Sequence, residues 1–542
     1  MSIAPLDLGI LIVYLAATVA FGLWVGRGQK SAADYLLGGR NLPWWALLLS
    51  IVATETSTAT FLSVPGIAFG GGLDGTTGDL RFLQLPFGYL IGRTIATYLL
   101  LPLYFRGELF TAYDVLRHRS GVAVRTLASG LFLVTRTLAD GLRLFLTALV
   151  LQVMFGWSLT AAVATLGLAT VAYTVKGGIV AVVWTDVMQF GVYMLGAIAA
   201  LFVLGNQLEG GLGGMLDAAS TADRLRVFDF DVSNTAAFWA NPFTFWAGLL
   251  GGAVLSIGSH GVDQIIVQRY LSARSQRDAQ RALLWSGPVV LCQFALFLVI
   301  GLGLSAFYTA HAPAVPFTKS DRVFADFLVH HLPSGLVGIV LGAVFAAAMS
   351  TLSSSLSASA SALVNDFLLP MTGHRSDSAF ALRAARWATL LFAGLQIAVG
   401  LSGLGGGEAV VGQVLSIATV TTGVILGLFL LALRPRRSST SSLVGLVAGL
   451  LAIVVLVFVL PRNEIRLAWP WFGIVSCGST FLVGLTASYV RPTRYARAAA
   501  HPLPRRNAAL SAARRPSRAC PRTRRAGQSA PAAAASDRCD PT

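Results

Sequence analysis

The chain of 542 residues is 55% hydrophobic and only 12% charged, and its mean hydropathy is +0.70. Soluble domains are about 25% charged, so this composition excludes an ordinary soluble enzyme and indicates a membrane protein. Much of the net charge of +16 comes from residues 491–542, which hold 12 Arg and two Asp. That Ala-, Arg- and Pro-rich segment is typical of a disordered cytoplasmic tail, and a patch for lipid headgroups or nucleic acid is the alternative.

Thirteen segments are long and apolar enough to cross a membrane, since a spanning helix needs about 20 mostly apolar residues. The sequence therefore predicts an all-α membrane protein with about 13 transmembrane helices. The predicted spans are 5–26, 43–70, 82–104, 126–153, 157–174, 180–205, 240–262, 283–308, 335–367, 385–403, 411–433, 441–460 and 469–490. The first apolar segment is too long for a signal peptide and is not preceded by the positively charged region of one. The sequence therefore favours a transmembrane helix that is not cleaved off.

Cationic side chains concentrate around the connections that follow odd-numbered spans. They are Arg27, Lys30, Arg40, Arg106, Arg117, Arg119, Arg125, Arg269, Arg274, Arg277, Arg281, Arg375, Arg383, Arg386, Arg434, Arg436 and Arg437. The longest alternate connection, 206–239, is rich in Asp. The positive-inside rule then predicts a multi-pass protein of the plasma membrane with its N-terminus outside and its C-terminus in the cytoplasm. Because topology accounts for the charge, no nucleic-acid partner is expected.

Two of the predicted spans are interrupted by polar or Gly-rich segments. The second contains SIVATETSTAT with Glu55 in its middle, and the seventh contains GGAVLSIGSHGVDQ with His260. A carboxylate in hydrocarbon is costly unless it faces a polar cavity, so Glu55 is expected to have a function. Interruptions in corresponding helices of two halves indicate an inverted-repeat transporter with its site at mid-membrane.

The repeat predicts a division of the chain into five parts. An extra N-terminal helix and loop (1–42) precede the first repeat (43–239) and the second repeat (240–440). Two C-terminal helices (441–490) and the tail (491–542) follow.

Hydroxyl side chains recur along the ninth predicted span, which is otherwise rich in Ala, Leu and Val. They are Ser350, Thr351, Ser353, Ser354, Ser355, Ser357, Ser359 and Ser361. Helix packing explains most of them, because small hydroxylated residues let helices approach closely. The adjacent pairs Ser350–Thr351 and Ser353–Ser354 present several oxygen ligands at once, and a hard cation such as Na⁺ needs oxygen ligands.

Three charged residues share one face of the fourth predicted span. Arg136, Asp140 and Arg143 are separated by four and three residues. They form either an intrahelical cluster that shields buried charge or a site at which one Arg reaches a substrate carboxylate.

Four segments resemble the sodium/solute symporter family, which includes sodium/glucose cotransporter-like proteins, and they occur in the family's order. The family's first core helix is matched by GGRNLPWWALLLSIVATETSTATFLSVPG, and its fifth by KGGIVAVVWTDVMQF. Its sixth and eighth are matched by GSHGVDQIIVQRYL and FAAAMSTLSSSLSASASALVNDF. The resemblance implies a five-plus-five inverted repeat with a leucine-transporter-like fold, and Na⁺ as the coupling ion with no other cofactor.

The same resemblance implies the sodium ligands. The main site would use Ala53, Thr56, Ala347, Ser350 and Thr351, although packing alone also explains the hydroxyls. A second sodium, held by some members, would use Asp186, Ser353 and Ser354. The alternative for Asp186 is an interfacial acid that caps a helix or pairs with a loop Arg.

For the solute, the family places a polar side chain at the position of Glu55. Its carboxylate would accept hydrogen bonds from sugar hydroxyls or pair with an ammonium group. Ser57 and Thr60 would add contacts from the same face, although helix packing explains Thr60 equally well. Members that carry sugars have an aromatic gate where this chain has Ser259 and His260, which argues against a glucose-like solute; His260 is either structural or a solute ligand.

The predicted function is sodium-coupled import of a small organic solute by alternating access. The solute classes are sugars, sugar acids, carboxylates and amino acids, with Arg136 as the candidate contact for an acid. A transporter-derived sensor or a channel is the alternative. The chain has no phosphate-binding loop ending in Lys, no HExxH and no GxSxG, so neither an ATP-driven pump nor an enzyme is expected. The protein is expected to act as a monomer in the bilayer.

Overall fold

The computed structural model describes residues 4–490 except 71, 72, 74–76, 314, 315, 403–409, 435–437 and 461–466. The predicted basic tail lies outside these residues. Within them the chain is helical, and the only β-type pairing is an isolated parallel bridge between Leu42 and Ala273. Helices are expected for these apolar sequences, because hydrocarbon offers no partner for backbone N–H and C=O groups.

The helices are numbered in chain order. The first ten are α1 (Pro5–Val25), α2 (Ala32–Leu37), α3 (Trp44–Glu55), α4 (Thr58–Phe69), α5 (Gln84–Ile95), α6 (Asp114–Ser120), α7 (Val122–Phe155), α8 (Leu159–Asn206), α9 (Gly211–Thr221) and α10 (Thr235–Ala240). The others are α11 (Gly252–Gly261), α12 (Gln264–Leu271), α13 (Gln276–Ala310), α14 (Asp321–His330), α15 (Leu336–Leu363), α16 (Leu369–Thr372), α17 (Ala379–Leu401), α18 (Val410–Leu433), α19 (Ser439–Val454) and α20 (Trp469–Val490).

Single turns of tighter or wider helix extend several of these elements. A π-turn (Ala96–Leu100) and a 3₁₀ turn (Leu101–Phe105) follow α5. Further π-turns precede α11 (Ala247–Gly251) and follow α15 (Val364–Leu368) and α19 (Val455–Val459).

Eight helices among the described residues are long and apolar enough to cross a membrane. The number rises to 10 when each of two bent pairs is counted as one span. A helix overlaps every one of the thirteen predicted spans, but length and hydropathy do not establish thirteen crossings. The count and the five-plus-five repeat therefore remain predictions.

The second and seventh predicted spans are indeed broken. The axes of α3 and α4 differ by 65°, and that of Ala247–Gly261, which comprises a π-turn and α11, differs from that of α12 by 52°. In the first pair Thr56 leaves the helical conformation and Ser57 caps α4, its Oγ accepting from the N–H of Thr60 at 3.3 Å. In the second pair the carboxylate of Asp263 caps α12, accepting from the N–H of Ile265 at 2.9 Å. Short polar side chains thus restart each helix after its break.

The fifth and sixth predicted spans form the single long element α8, which changes direction at Gly178. This residue has φ +57° and ψ −155°, a conformation that few residues other than glycine adopt. A Cβ atom at Gly178 would lie 2.3 Å from the carbonyl oxygen of Tyr35. The glycine therefore permits both the bend and the close packing of α2 on α8.

Helix α15 lies at the centre of the molecule and packs against α1, α7, α8 and α17. Its hydroxyl residues are all buried, and the break between α3 and α4 packs against the same helix. This arrangement brings the hydroxyl-rich helix to the break, where backbone carbonyls lose their helical partners.

Candidate functional site

The break in the first bent helix supplies backbone oxygens. Because α3 ends at Glu55, the carbonyls of its last turn have no continuing helix to bind them. One of these carbonyls, that of Val52, accepts two hydrogen bonds from Thr56, from its N–H at 3.1 Å and from its Oγ1 at 2.9 Å. Gln293 of α13 donates in turn to the hydroxyl of Thr56 at 2.6 Å. The peptide groups at the break are therefore held in fixed orientations.

Helix α15 meets this break through Thr351. Its Oγ1 lies 3.3 Å from the carbonyl oxygens of both Thr54 and Ala347. Of the residues predicted for the main sodium site, Thr351 and Ala347 meet at this contact. Ala53 lies in the last turn of α3 and Thr56 at the break, whereas the hydroxyl of Ser350 donates to Asp186. The atoms that meet at the contact are carbonyl and hydroxyl oxygens, the ligands that a hard cation requires.

A second oxygen cluster surrounds Asp186, which α8 carries into the protein interior. We call it the Asp186 cluster: Asp186, Arg269, Ser50, Thr54, Ser350 and Ser354. The hydroxyls of Ser50 and Ser350 donate to the carboxylate at 2.5 and 2.6 Å, and Arg269 Nη2 lies 2.9 Å from Oδ2. Both charged side chains have 0% exposure.

The residues predicted for a second sodium lie close together but do not form one contact. Arg269 Nη2, which pairs with Asp186, also donates to Ser354 Oγ at 2.6 Å. Ser353 instead donates to the backbone carbonyl of Ser350 at 3.1 Å. The pairing of Asp186 with an Arg was the alternative offered for this acid, but the pair is enclosed in the protein rather than interfacial.

Two arginines counted as loop cations are in fact buried. Arg269 belongs to the Asp186 cluster, and Arg125 in α7 is 2% exposed and donates to the carbonyl of Asp366 at 2.9 Å. Their assignment to loops was wrong, because sequence position near the end of an apolar segment does not reveal burial. The positive-inside rule counts Lys and Arg in short loops and near the ends of spans, so burial in the folded protein does not by itself remove either residue from that count.

A cavity of about 210 Å³ lies beside the break between α3 and α4. All six residues predicted to contact the solute line it: Glu55, Ser57, Thr60, Ser259, His260 and Arg136. Apolar side chains such as Phe82, Tyr89 and Phe294 form other parts of its wall. A mostly apolar cavity with a few convergent polar groups is the usual form of a small-molecule site.

Inside this cavity Glu55 already has a cationic partner. Its carboxylate pairs with Arg93 of α5, a side chain with 1% exposure, and lies 3.6 Å from Nε2 of His260. Ser259 Oγ is 2.9 Å from the other ring nitrogen of His260. Sequence reasoning missed Arg93, although an Arg within an apolar span was a signal for function in itself. The pair with Arg93 makes direct binding of an ammonium group by Glu55 unfavourable.

Two further guanidinium groups lie at the cavity and share one carboxylate. Arg136 Nε and Arg143 Nη1 lie 2.7 and 2.6 Å from the two oxygens of Asp140, and Arg136 Nη1 lies 3.8 Å from Asp263. The intrahelical cluster is therefore present, yet both Arg side chains also line the cavity. A guanidinium has five N–H donors, so each retains donors that a solute can use.

Comparisons with known proteins identify a family and several relatives. The model of the sodium:solute symporter family matches residues 35–449. The human sodium/iodide cotransporter is 29% identical over 460 residues, covering 82% of this chain and 68% of that protein. The sodium/sialic acid symporter NanT of Aliivibrio fischeri is 27% identical over 481 residues, covering 88% and 92%.

The fold is also shared with a solved structure. A Na⁺-coupled sialic acid symporter in a substrate-bound outward-open state superposes with a TM-score of 0.80 at 24% identity, over 90% of this chain and 98% of that one. This likeness concerns the fold alone. The family model, however, matches most of the sequence. The chain therefore belongs to the sodium:solute symporter family, whose members are membrane transporters that couple a solute to Na⁺.

Proposed function

We propose that this protein imports a small organic carboxylate together with Na⁺ by alternating access. The observation that carries the choice of solute is that two guanidinium groups, Arg136 and Arg143, line the cavity and keep N–H donors beyond their contacts with Asp140 and Asp263. Glu55 adds no free negative charge, because Arg93 neutralises it. Relatives named for sialic acid and for monocarboxylates are consistent with an acidic solute.

Sodium would bind first, at Ala53, Thr56, Ala347, Ser350 and Thr351. A cation at this contact would hold the broken helix against α15 and so order the adjoining cavity, whose wall includes Glu55, Ser57 and Thr60. Coupling of this kind is reciprocal, so the solute tightens Na⁺ binding by the same factor by which Na⁺ tightens solute binding.

The proposed architecture has thirteen transmembrane helices in the plasma membrane, with the N-terminus outside and the C-terminus in the cytoplasm. The two repeats (43–239 and 240–440) would rock against each other, with the helices of 1–42 and 441–490 outside them. We propose a monomer as the working unit.

A two-step experiment tests the proposed function. Purified protein is screened by thermal shift against sialic acid, lactate, iodide and glucose, with and without Na⁺. We expect a carboxylate to stabilise the protein only when Na⁺ is present. That solute, in radioactive form, is then offered to reconstituted vesicles. We expect saturable uptake that depends on Na⁺. Equal uptake after K⁺ replaces Na⁺ would refute the proposal. A flux that does not saturate would identify a channel.

The contribution of Thr351 to the main sodium site can be measured separately. Removing its hydroxyl in Thr351→Ala deletes one oxygen that lies 3.3 Å from the carbonyl oxygens of Thr54 and Ala347. We expect the Na⁺ concentration for half-maximal uptake to rise about tenfold, which corresponds to about 1.4 kcal/mol. Thr351→Ser retains the hydroxyl and should remain close to the wild type. An unchanged Na⁺ requirement in Thr351→Ala would show that the hydroxyl serves packing only.

A further inference from the structure

The Asp186 cluster has the composition of a cation site, and a positive charge already occupies its centre. Arg269 Nη2 contacts Thr54 Oγ1 at 2.5 Å, Ser354 Oγ at 2.6 Å and Asp186 Oδ2 at 2.9 Å. Its Nε donates to Ser50 Oγ at 2.8 Å, and its Nη1 to the carbonyl of Ile265 at 2.7 Å. Five oxygens thus converge on the guanidinium of a residue with 0% exposure.

The hydroxyls around Arg269 also serve Asp186. Ser50 donates to the carboxylate and accepts from Arg269, so it links the two charges. Ser350 donates to the other carboxylate oxygen at 2.6 Å. A buried carboxylate needs both a cation and hydrogen-bond donors, and here the chain itself supplies all of them.

A Na⁺ ion at these oxygens would stand within a few ångströms of the guanidinium. Like charges at such a distance repel strongly where water is excluded. A Na⁺ ion would also have to approach oxygen atoms to which the guanidinium already donates, namely those of Ser50, Thr54, Ser354 and Asp186. Sodium and Arg269 therefore compete for one position.

We propose that Arg269 is the resident cation of the Asp186 cluster, so that the protein binds a single Na⁺, and that a second Na⁺ enters the cluster only when the guanidinium is removed. The inference rests on the proposed function for the main sodium site at Thr351. It argues against the second sodium that the family resemblance allows at Asp186, Ser353 and Ser354, because Asp186 and Ser354 are bound by Arg269.

The tethered cation also connects helices that would otherwise be linked by a diffusible ion. Arg269 belongs to α12, the second half of one bent helix, whereas Ser50 and Thr54 belong to α3, the first half of the other. A covalently attached cation keeps this contact independent of the Na⁺ concentration. Only the site at the break would then respond to the sodium gradient.

Equilibrium binding of radioactive sodium to the purified full-length protein tests the proposal. We expect one ion per wild-type protein and two for Arg269→Gln, in which the carboxylate of Asp186 has lost its cationic partner and recruits Na⁺. Arg269→Lys keeps the tethered charge and should bind one. Arg269→Gln combined with Asp186→Asn removes both charges and should also return to one. Thermal unfolding in the presence of Na⁺ checks that each variant is folded.

The outcomes separate this inference from the proposed function. No sodium bound to the wild type would refute sodium coupling at the main site. The role of Arg269 would be overturned if the wild type bound two ions and Asp186→Asn bound one. This comparison does not depend on Arg269→Gln, so it can be made even if that variant does not fold. A single ion bound to folded Arg269→Gln would also overturn that role.

Discussion

Replacing Arg93 with methionine should lower the free energy of unfolding by about 3 kcal/mol and abolish transport. The change leaves the carboxylate of Glu55 without its cation at the wall of a largely apolar cavity. Breaking a buried ion pair from one side costs about 3–5 kcal/mol, and the lower end applies because Glu55 is 18% exposed to the cavity. His260 Nε2, at 3.6 Å, is too distant to replace the guanidinium. Chemical unfolding in detergent measures the loss of stability.

A double variant distinguishes ion pairing from packing. Arg93→Met combined with Glu55→Gln removes both charges and should recover most of the stability, because no charge is then left unpaired. Glu55→Gln alone should be destabilising, since Arg93 is 1% exposed and would retain only neutral partners such as the Ser286 hydroxyl at 2.8 Å. If the losses of the two single variants simply add in the double variant, the two charges do not stabilise each other.

Replacing Arg136 with glutamine should raise the KM for a carboxylate solute by about 10- to 100-fold. A hydrogen bond to a charged group contributes about 1.5–3 kcal/mol, and about 1.4 kcal/mol corresponds to a factor of ten. The fold should be little affected, because Asp140 keeps Arg143 at 2.6 Å. Initial rates of Na⁺-dependent uptake over a range of solute concentrations give the KM.

Two matched variants control for this substitution. Arg136→Lys keeps the charge but loses the planar, two-pronged geometry, so it should give an intermediate KM. Arg375→Gln removes an exposed guanidinium that pairs with Asp377 outside the cavity, and it should leave the KM unchanged. An unchanged KM in Arg136→Gln would assign the residue to the intrahelical cluster alone.

The two helix breaks were predictable because their causes are local. Glu55 in an apolar segment and the glycines before His260 are features of a few consecutive residues, and each marks a place where a helix has reason to stop. The gathering of Thr351 with the break came from the resemblance to a family, since the sequence alone does not say which helices touch.

The charge partners were not predictable in the same way. Glu55 and Arg93 are 38 positions apart, and Asp186 and Arg269 are 83 apart, so neither spacing indicates a pair. Arg269 was misplaced because it lies just beyond an apolar window, where loop cations are common. In the structure α12 follows the bend after α11, and all of its residues are buried.

The isolated bridge between Leu42 and Ala273 joins the two bent helices at one end. Leu42 precedes α3, and its N–H donates to the carbonyl of Ser272 at 3.1 Å, directly after α12. Arg274 also donates to the carbonyl of Asn41 at 3.0 Å. With these bonds at their ends and Arg269 between their flanks, α3 and α12 are tied to each other. We therefore expect these two helices to move together during transport, with any change of angle in the bent helices taken up at the two breaks.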